Sequence, residues 1–281
     1  LDEIELPYGS ANDWEQLHPF HKRSLKRMGV NGDPLDPQMI RQVRATYFAM
    51  ITFLDHQIGR ILKLLDESGM WEDTVVIYTA DHGEMLGEHL RWNKMCFYEQ
   101  SVRIPMIISR PKDRSNGNIG RRIEENVSLV DLGVTIPELA GAEVPEDLKS
   151  DGRPLISLLD EKDRAWDNVV FSELYHEYNM HGPTAMLKRD QYKYNFYHQE
   201  SPELFDLSRD QGEICNLAGK PEYSELQSAM ENELLSRWNP EALDGSIRES
   251  QKKRRFLSPY LFSYIEKERK SIDSRFTGDL N

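Results

Sequence analysis

The sequence predicts an α/β fold, a mixed sheet with helices on both faces, joined to a small α+β subdomain built on an antiparallel sheet. Three observations carry this reading. Apolar residues at spacings of three and four run from Ile40 to Leu65, the pattern of an amphipathic helix. A short all-apolar run, Val75-Val76-Ile77-Tyr78, follows and reads as a strand buried on both faces, as in a parallel sheet. After Asn168 the chain changes to short strand-like runs separated by turn residues, as in antiparallel hairpins.

Taken in order, residues 7–34 are rich in His, Pro, Gly and Asn, and His18-Pro19-Phe20-His21 follows no strand-like run, so it reads as a surface segment. Asp36-Pro37 is a helix start, with Asp as N-cap and Pro in the first turn, and Ser68-Gly69 is the matching stop. Asp55 and His56 on this helix read as solvated or capping residues. The central strand ends in Thr79-Ala80, and Asp81-His82-Gly83 follows at once. Met106 to Ser109 is a second strand, ended by Arg110-Pro111, and residues 111–120 form a surface loop. Arg122 to Leu129 reads as a further strand. Val130-Asp131-Leu132 opens a helix that ends at Ala140-Gly141 and carries Pro137. Val169 to Phe171 is a strand, and Thr184–Leu187 with Tyr192–Tyr197 form a hairpin. A helix from Pro221 places Leu226, Met230 and Leu234 on one face and stops at Asn239-Pro240. This divides the chain into a main α/β domain over 1–160, a small α+β subdomain over 161–240 and a tail over 241–281. The tail carries Lys252-Lys253-Arg254-Arg255 beside Tyr260, Phe262 and Tyr264, a candidate oligomer contact.

Ligands in open α/β sheets sit beyond the carboxyl ends of strands, which is where Asp81 and His82 fall. A carboxylate beside a neutral imidazole suits a divalent cation. The alternative is an Asp that caps the next helix with His82 hydrogen-bonded beside it. The 281 residues carry a net charge of −13, which argues against a nucleic-acid binder and requires any anion site to be locally positive. No apolar run approaches the length of a membrane span. Cys96 and Cys215 lack metal-type spacing and read as free thiols, which points to a reducing, cytoplasmic compartment; a single disulfide, with a periplasmic location, is the alternative.

The stretch Thr79-Ala80-Asp81-His82-Gly83-Glu84-Met85-Leu86-Gly87-Glu88, then Trp92-Asn93-Lys94, then Phe97 to Pro105, resembles the second half of a sulfatase, in the alkaline-phosphatase-like superfamily. Asp151-Gly152-Arg153-Pro154-Leu155 is similar to the family's Asp-Gly-x-Ser-Leu signature, with Pro154 in place of the serine. Leu204 to Leu207, Asp210, Glu213 and Asn216-Leu217-Ala218 match its late segment. The resemblance implies the later part of an alkaline-phosphatase-like domain. It implies that Asp81 and His82 bind a divalent cation, Ca2+ first with Mg2+ or Mn2+ as alternatives, and that Lys94 contacts the sulfate group and acts in catalysis. Glu88 is a candidate support for these ligands, and Arg103 reads as structural. Tyr175, His176, Glu177, Tyr178 and His181 form a loop that faces the substrate pocket in related enzymes. The family's nucleophile is a formylglycine made in a Cys/Ser-x-Pro/Ala-x-Arg motif, and neither Cys96 nor Cys215 lies in one. The chain is therefore expected to be a carboxyl-terminal portion that works with an N-terminal half on a small sulfate ester. The tail resembles that of choline sulfatases, which implies a homo-oligomer. A phosphonate or phosphate-ester hydrolase of the same superfamily is the nearest alternative, and a non-catalytic assembly subunit is a more distant one.

Overall fold

A computed structural model describes residues 1–8, 11–33, 35–117, 119–142, 150–160, 165–175 and 182–276. The chain divides into two compact units, Leu1–Leu234 and Leu235–Asn281. The first unit has the α/β character read from the sequence.

Its opening helix, α1 (Pro19–Arg27), overturns one expectation. His18 caps it, accepting from the Phe20 amide, and His18, Phe20, His21 and Leu25 are all buried. Far from lying on the surface, this segment is core. His21 lies in a directed chain of hydrogen bonds. Arg91 Nη1 donates to His21 Nδ1 at 3.3 Å, His21 Nε2 donates to the Tyr197 hydroxyl at 3.2 Å, and that hydroxyl donates to Glu203 Oε2 at 2.6 Å. The imidazole can both accept and donate in this chain only when neutral. Burial lowers its pKa to about 4. Burial also penalises the Glu203 carboxylate, but His21 and Tyr197 hold it down at about 2. Below about pH 6.5 the unfolded chain therefore takes up a proton that folded His21 rejects. Stability should fall as pH drops from about 6.5 to about 4, by on the order of 3 kcal/mol from this group. Denaturant midpoints measured across that range check it, and His21→Gln should show a shallower slope.

The long helix is α2, Pro37–Glu67, with the expected ends. Asp36 accepts from the Gln38 amide, Ser68 is the C-cap, and Gly69 turns left-handed with φ 68°. None of its residues is buried. Val43, Met50, Ile51, Leu54 and Ile61, all on the predicted stripe, are exposed. The periodicity correctly gave a helix with one apolar face; no described residue buries that face.

β1 (Val76–Thr79) pairs antiparallel with β4 (Met106–Ser109), with Ile77 opposite Ile108 and Thr79 opposite Met106. The expectation of a strand buried on both faces of a parallel sheet is corrected on two counts. All four β1 residues are only half-buried, and every ladder among the described residues is antiparallel. An apolar run reports that a strand will be covered, not the direction of its partner. Between these strands lie a short hairpin, β2 (Met85–Leu86) with β3 (Trp92–Asn93), and the single-turn helix α3 (Glu99–Val102). Met85, Cys96 and Tyr98 form a buried cluster beneath the hairpin. The short α4 (Pro111–Ser115) follows β4.

Residues 122–128 form no strand, correcting that reading; their polar groups are used elsewhere, as in the Asn126 amide bonded to Asn168 Oδ1 at 2.6 Å. α5 (Leu129–Leu139) opens with a capping box between Ser128 and Asp131. Asp131 also accepts the Arg153 amide at 2.8 Å, and a Cβ at Gly152 would come within 2.6 Å of the Val130 carbonyl carbon. The Asp-Gly signature is thus a packing device, and the turn forms with Pro154 in place. α6 (Ile156–Leu159) completes the segment. β5 (Val169–Leu174), β6 (Thr184–Arg189), β7 (Tyr192–Tyr197) and β8 (Glu203–Asp206) make a four-stranded antiparallel meander. The β6–β7 turn is Asp190-Gln191, with Asp190 at φ 51°. α7 (Ser224–Arg237) buries Met230 and Leu234.

The second unit is mainly α8, Pro240–Phe276, a helix of 37 residues. Within it Arg248 pairs with Asp244 at 2.6 Å, and Phe256, Leu257 and Tyr260 are exposed. No helix among the described residues is long and apolar enough to cross a membrane.

Candidate metal and anion site

β1 delivers Asp81 and His82 just past its carboxyl end. Asp81 Oδ1 accepts the His82 amide at 3.0 Å, and Asp81 Oδ2 lies 3.5 Å from His82 Nε2. His82 Nδ1 donates to the Gly83 carbonyl at 2.8 Å, which fixes the tautomer and leaves the Nε2 lone pair free for a ligand. The two side chains are open, with 84% of Asp81 and 38% of His82 exposed. An oxygen and a nitrogen donor on one exposed turn fit two positions of a divalent cation's shell. No group of three or more His, Cys, Asp or Glu in cation-binding geometry occurs among the described residues.

Gly83 is where the turn meets α3. Its amide donates to the Ser101 carbonyl at 2.7 Å, and a Cβ there would come within 2.9 Å of the Gln100 carbonyl carbon and closer still to its oxygen. The need for Gly is contact with a neighbouring backbone, since its φ is not left-handed. Gly83→Ala should destabilise the fold by about 1–3 kcal/mol. A denaturation curve checks this, with Gly59→Ala, which has open space, as the control.

The β2–β3 register pairs Met85 with Asn93 and Leu86 with Trp92. The connecting loop is unusually strained. Gly87, His89, Leu90, Asn93 and Met95 all have positive φ, from 51° to 108°. Each such non-Gly residue costs of order 1–3 kcal/mol and persists only where its surroundings over-determine it. Both neighbours of Lys94 are among them, and Lys94 itself is half-buried. The surroundings are visible. Glu88, buried rather than solvated, accepts from the Leu86 amide at 2.8 Å and from Arg44 Nη1 at 2.7 Å, and Arg44 also donates to the Leu86 carbonyl. His89 stacks on Tyr98 with ring centroids 3.8 Å apart and donates to the Gly212 carbonyl. Fully buried Arg91 lies 3.4 Å from the Met95 carbonyl.

The structure therefore brings Asp81 and His82 together directly, and Lys94 follows the short hairpin just past the end of β3. Asp55 and His56 are exposed on α2 and take no part. Arg103 is exposed, and its amide ends α3 on the Glu99 carbonyl at 2.8 Å. Of the loop thought to face a pocket, Tyr175 is half-buried, while His176, Glu177, Tyr178 and His181 lie outside the described residues, as do Asp279 to Asn281 of the tail. Cys96 is a buried free thiol and Cys215 an exposed one. An open cleft of about 1860 Å³, lined in part by Arg103, Ile107, Ile123 and Lys188, lies beside β4; none of Asp81, His82 or Lys94 lines it. Sequence reasoning missed Arg44, Arg91 and Lys193, and gave Glu213 only as part of the match to the late segment. The first sits on a helix face with no pattern of its own, and the others are buried charges whose partners are distant in sequence.

The Sulfatase family model matches residues 7–142, and the model for the C-terminal region of N-sulphoglucosamine sulphohydrolase matches residues 87–239. Arylsulfatase K of Bos taurus is 31% identical over 259 residues, covering 89% of this chain and 46% of that protein. The multifunctional alkaline phosphatase superfamily protein PehA of Trinickia caryophylli is 36% identical over 211 residues, 70% of this chain and 40% of its own length. The crystal structure of the phosphonate monoester hydrolase of Agrobacterium radiobacter superposes with a TM-score of 0.70 at 26% identity, covering 82% of this chain and 49% of that one. The chain thus spans about half the length of the curated relatives it matches. With two family models that overlap over residues 87–142, arylsulfatase relatives and an α/β fold shared with solved relatives, this chain belongs to the sulfatase family of the alkaline-phosphatase-like superfamily.

Proposed function

We propose that this chain carries the cation-binding and sulfate-binding part of a sulfuric ester hydrolase. The observation that supports it most is the open Asp81–His82 pair at the end of β1, with Lys94 held downstream between two left-handed residues, Asn93 and Met95. Asp81 and His82 would hold the divalent cation, Ca2+ before Mg2+ or Mn2+. Once bound, such an ion supplies charge neutralisation at the reacting oxygens. Lys94 presents a compact ammonium to the non-bridging oxygens of the sulfate, where negative charge grows in the transition state. His82 is oriented by its Nδ1 bond to the Gly83 carbonyl, which turns Nε2 toward the place a cation would take.

The nucleophile, a formylglycine in this reading, and the remaining ligands come from a preceding half of the enzyme. The uncovered apolar face of α2 and the cleft beside β4 are the surfaces left for it. The exposed aromatic residues of α8 would serve a homo-oligomer, as the choline-sulfatase-like tail suggests.

Two measurements test this. Calcium titration of the full-length enzyme by calorimetry should show one site whose affinity falls at least tenfold in Asp81→Ala; unchanged affinity would remove Asp81 from the ligand set. Rates on matched aryl sulfate, phosphate and phosphonate esters test the substrate, and sulfate should be turned over fastest. A second reading, hydrolysis of phosphonate or phosphate esters, is favoured by the likeness to PehA and to the phosphonate monoester hydrolase. A phosphonate rate above the sulfate rate would establish it instead.

A further inference from the structure

Lys193 on β7 is fully buried, 110 residues and more from the Asp81–His82 turn in sequence, yet it belongs to a contact chain that ends there. Its ammonium lies 2.6 Å from Glu99 Oε1 and 2.8 Å from Glu213 Oε1, and it donates to the Phe97 carbonyl at 2.8 Å. Glu213, itself buried and held left-handed at φ 54°, uses its other oxygen to accept the Glu99 amide at 2.6 Å. Glu99 is the first residue of α3, so this one buried carboxylate grips the helix at its start. The other end of α3 holds the site, because the Ser101 carbonyl accepts the Gly83 amide and the Gln100 carbonyl abuts Gly83 too closely for a side chain. The Gly83 carbonyl in turn fixes His82 Nδ1.

α3 is a single turn and cannot shift at one end without the other. Lys188 adds a looser tie to Glu99 at 3.6 Å. The arrangement is costly. Burial raises Glu213 to about 7 against the pull of Lys193, and burying two charges beside the partly covered Glu99 to hold a four-residue helix is hard to justify by stability alone.

We infer that Glu213 and Lys193 are positioning residues for the Asp81-His82-Gly83 turn, acting through Glu99 and the Ser101 carbonyl. The inference rests on the reading of Asp81 and His82 as cation ligands for its functional meaning, but its structural content is testable without metal.

The experiment is amide hydrogen exchange at Gly83 in the full chain, followed by NMR, with the β6–β7 ladder amides as internal reference. In Glu213→Leu, Gly83 exchange should rise at least tenfold relative to the ladder. In Glu213→Gln, whose amide oxygen can still accept from Glu99, it should stay within threefold of wild type. The His82 ring nitrogens should report a mixed tautomer in Glu213→Leu and a single one in Glu213→Gln. If Glu213→Leu does not fold, Glu99→Gln, at a half-exposed position, should raise Gly83 exchange at least threefold. Gly83 exchange that stays at the wild-type rate in the folded variant, or that rises only in step with the ladder, overturns the inference. A calcium titration in which Asp81→Ala binds as tightly as wild type would instead overturn the metal reading and leave the exchange result standing.

Discussion

Replacing Lys94 with alanine in the full-length enzyme should lower kcat on a sulfate ester by roughly 10²–10³, the usual cost of removing one fixed electrostatic partner from a developing anion. The fold should be unaffected, because Lys94 is half-buried and bears none of the contacts that hold its loop. Those contacts belong to Glu88, His89 and Arg91. Steady-state kinetics and a melting curve on the same preparation check both halves. The strained backbone sharpens the expectation. With Asn93 at φ 69° and Met95 at φ 76°, the direction of the intervening side chain is set before substrate arrives. Lys94→Arg should therefore recover little, since a planar guanidinium fork does not replace a compact ammonium in a fixed direction. Full activity in Lys94→Ala would show that the ammonium faces away from the reacting group.

Removing the Lys193 ammonium should be the most damaging single change to stability among those considered. In Lys193→Ala, Glu213 and Glu99 lose a cation at 2.8 and 2.6 Å, and the Phe97 carbonyl loses its donor. Deleting one partner of a buried ion pair costs about 3–5 kcal/mol, because the charges left behind have no water to turn to. The penalty should depend on pH in a defined direction. Folded Glu213 is raised to about 7, by burial first, so at about pH 5 it is protonated and the missing cation matters less. The difference in unfolding free energy between Lys193→Ala and wild type should accordingly be smaller near pH 5 than near pH 8. A constant difference across that range would mean that Glu213 does not take up a proton in the folded state.

Much of the local structure was legible from residue type and spacing. Asp36-Pro37 and Ser68-Gly69 bracketed α2 because capping is a local exchange between side chains and nearby backbone groups. The β6–β7 hairpin and α7 followed from alternation and helical periodicity for the same reason. The Asp81–His82 turn was legible because both donors are adjacent in the chain.

What failed was everything that needed to know the neighbour across space. The direction of β1's partner, the absence of a strand over residues 122–128 and the burial of His18 and His21 are all decided by distant segments. A histidine pair beside a proline carries no mark of being core; it becomes core because Tyr197, Glu203 and Arg91 arrive with matching donors and acceptors.

The sequence by itself determined α2, the β6–β7 hairpin, α7, the family resemblance and the candidate ligands, because each depends on residues a few positions apart. Only the tertiary structure decided that Glu88 is tied to Arg44, that the loop around Lys94 is forced into left-handed backbone, and that Glu213 reaches Gly83 through α3. The physical reason is that buried charge is tolerated only beside a partner, and the partner is chosen by packing rather than by order along the chain.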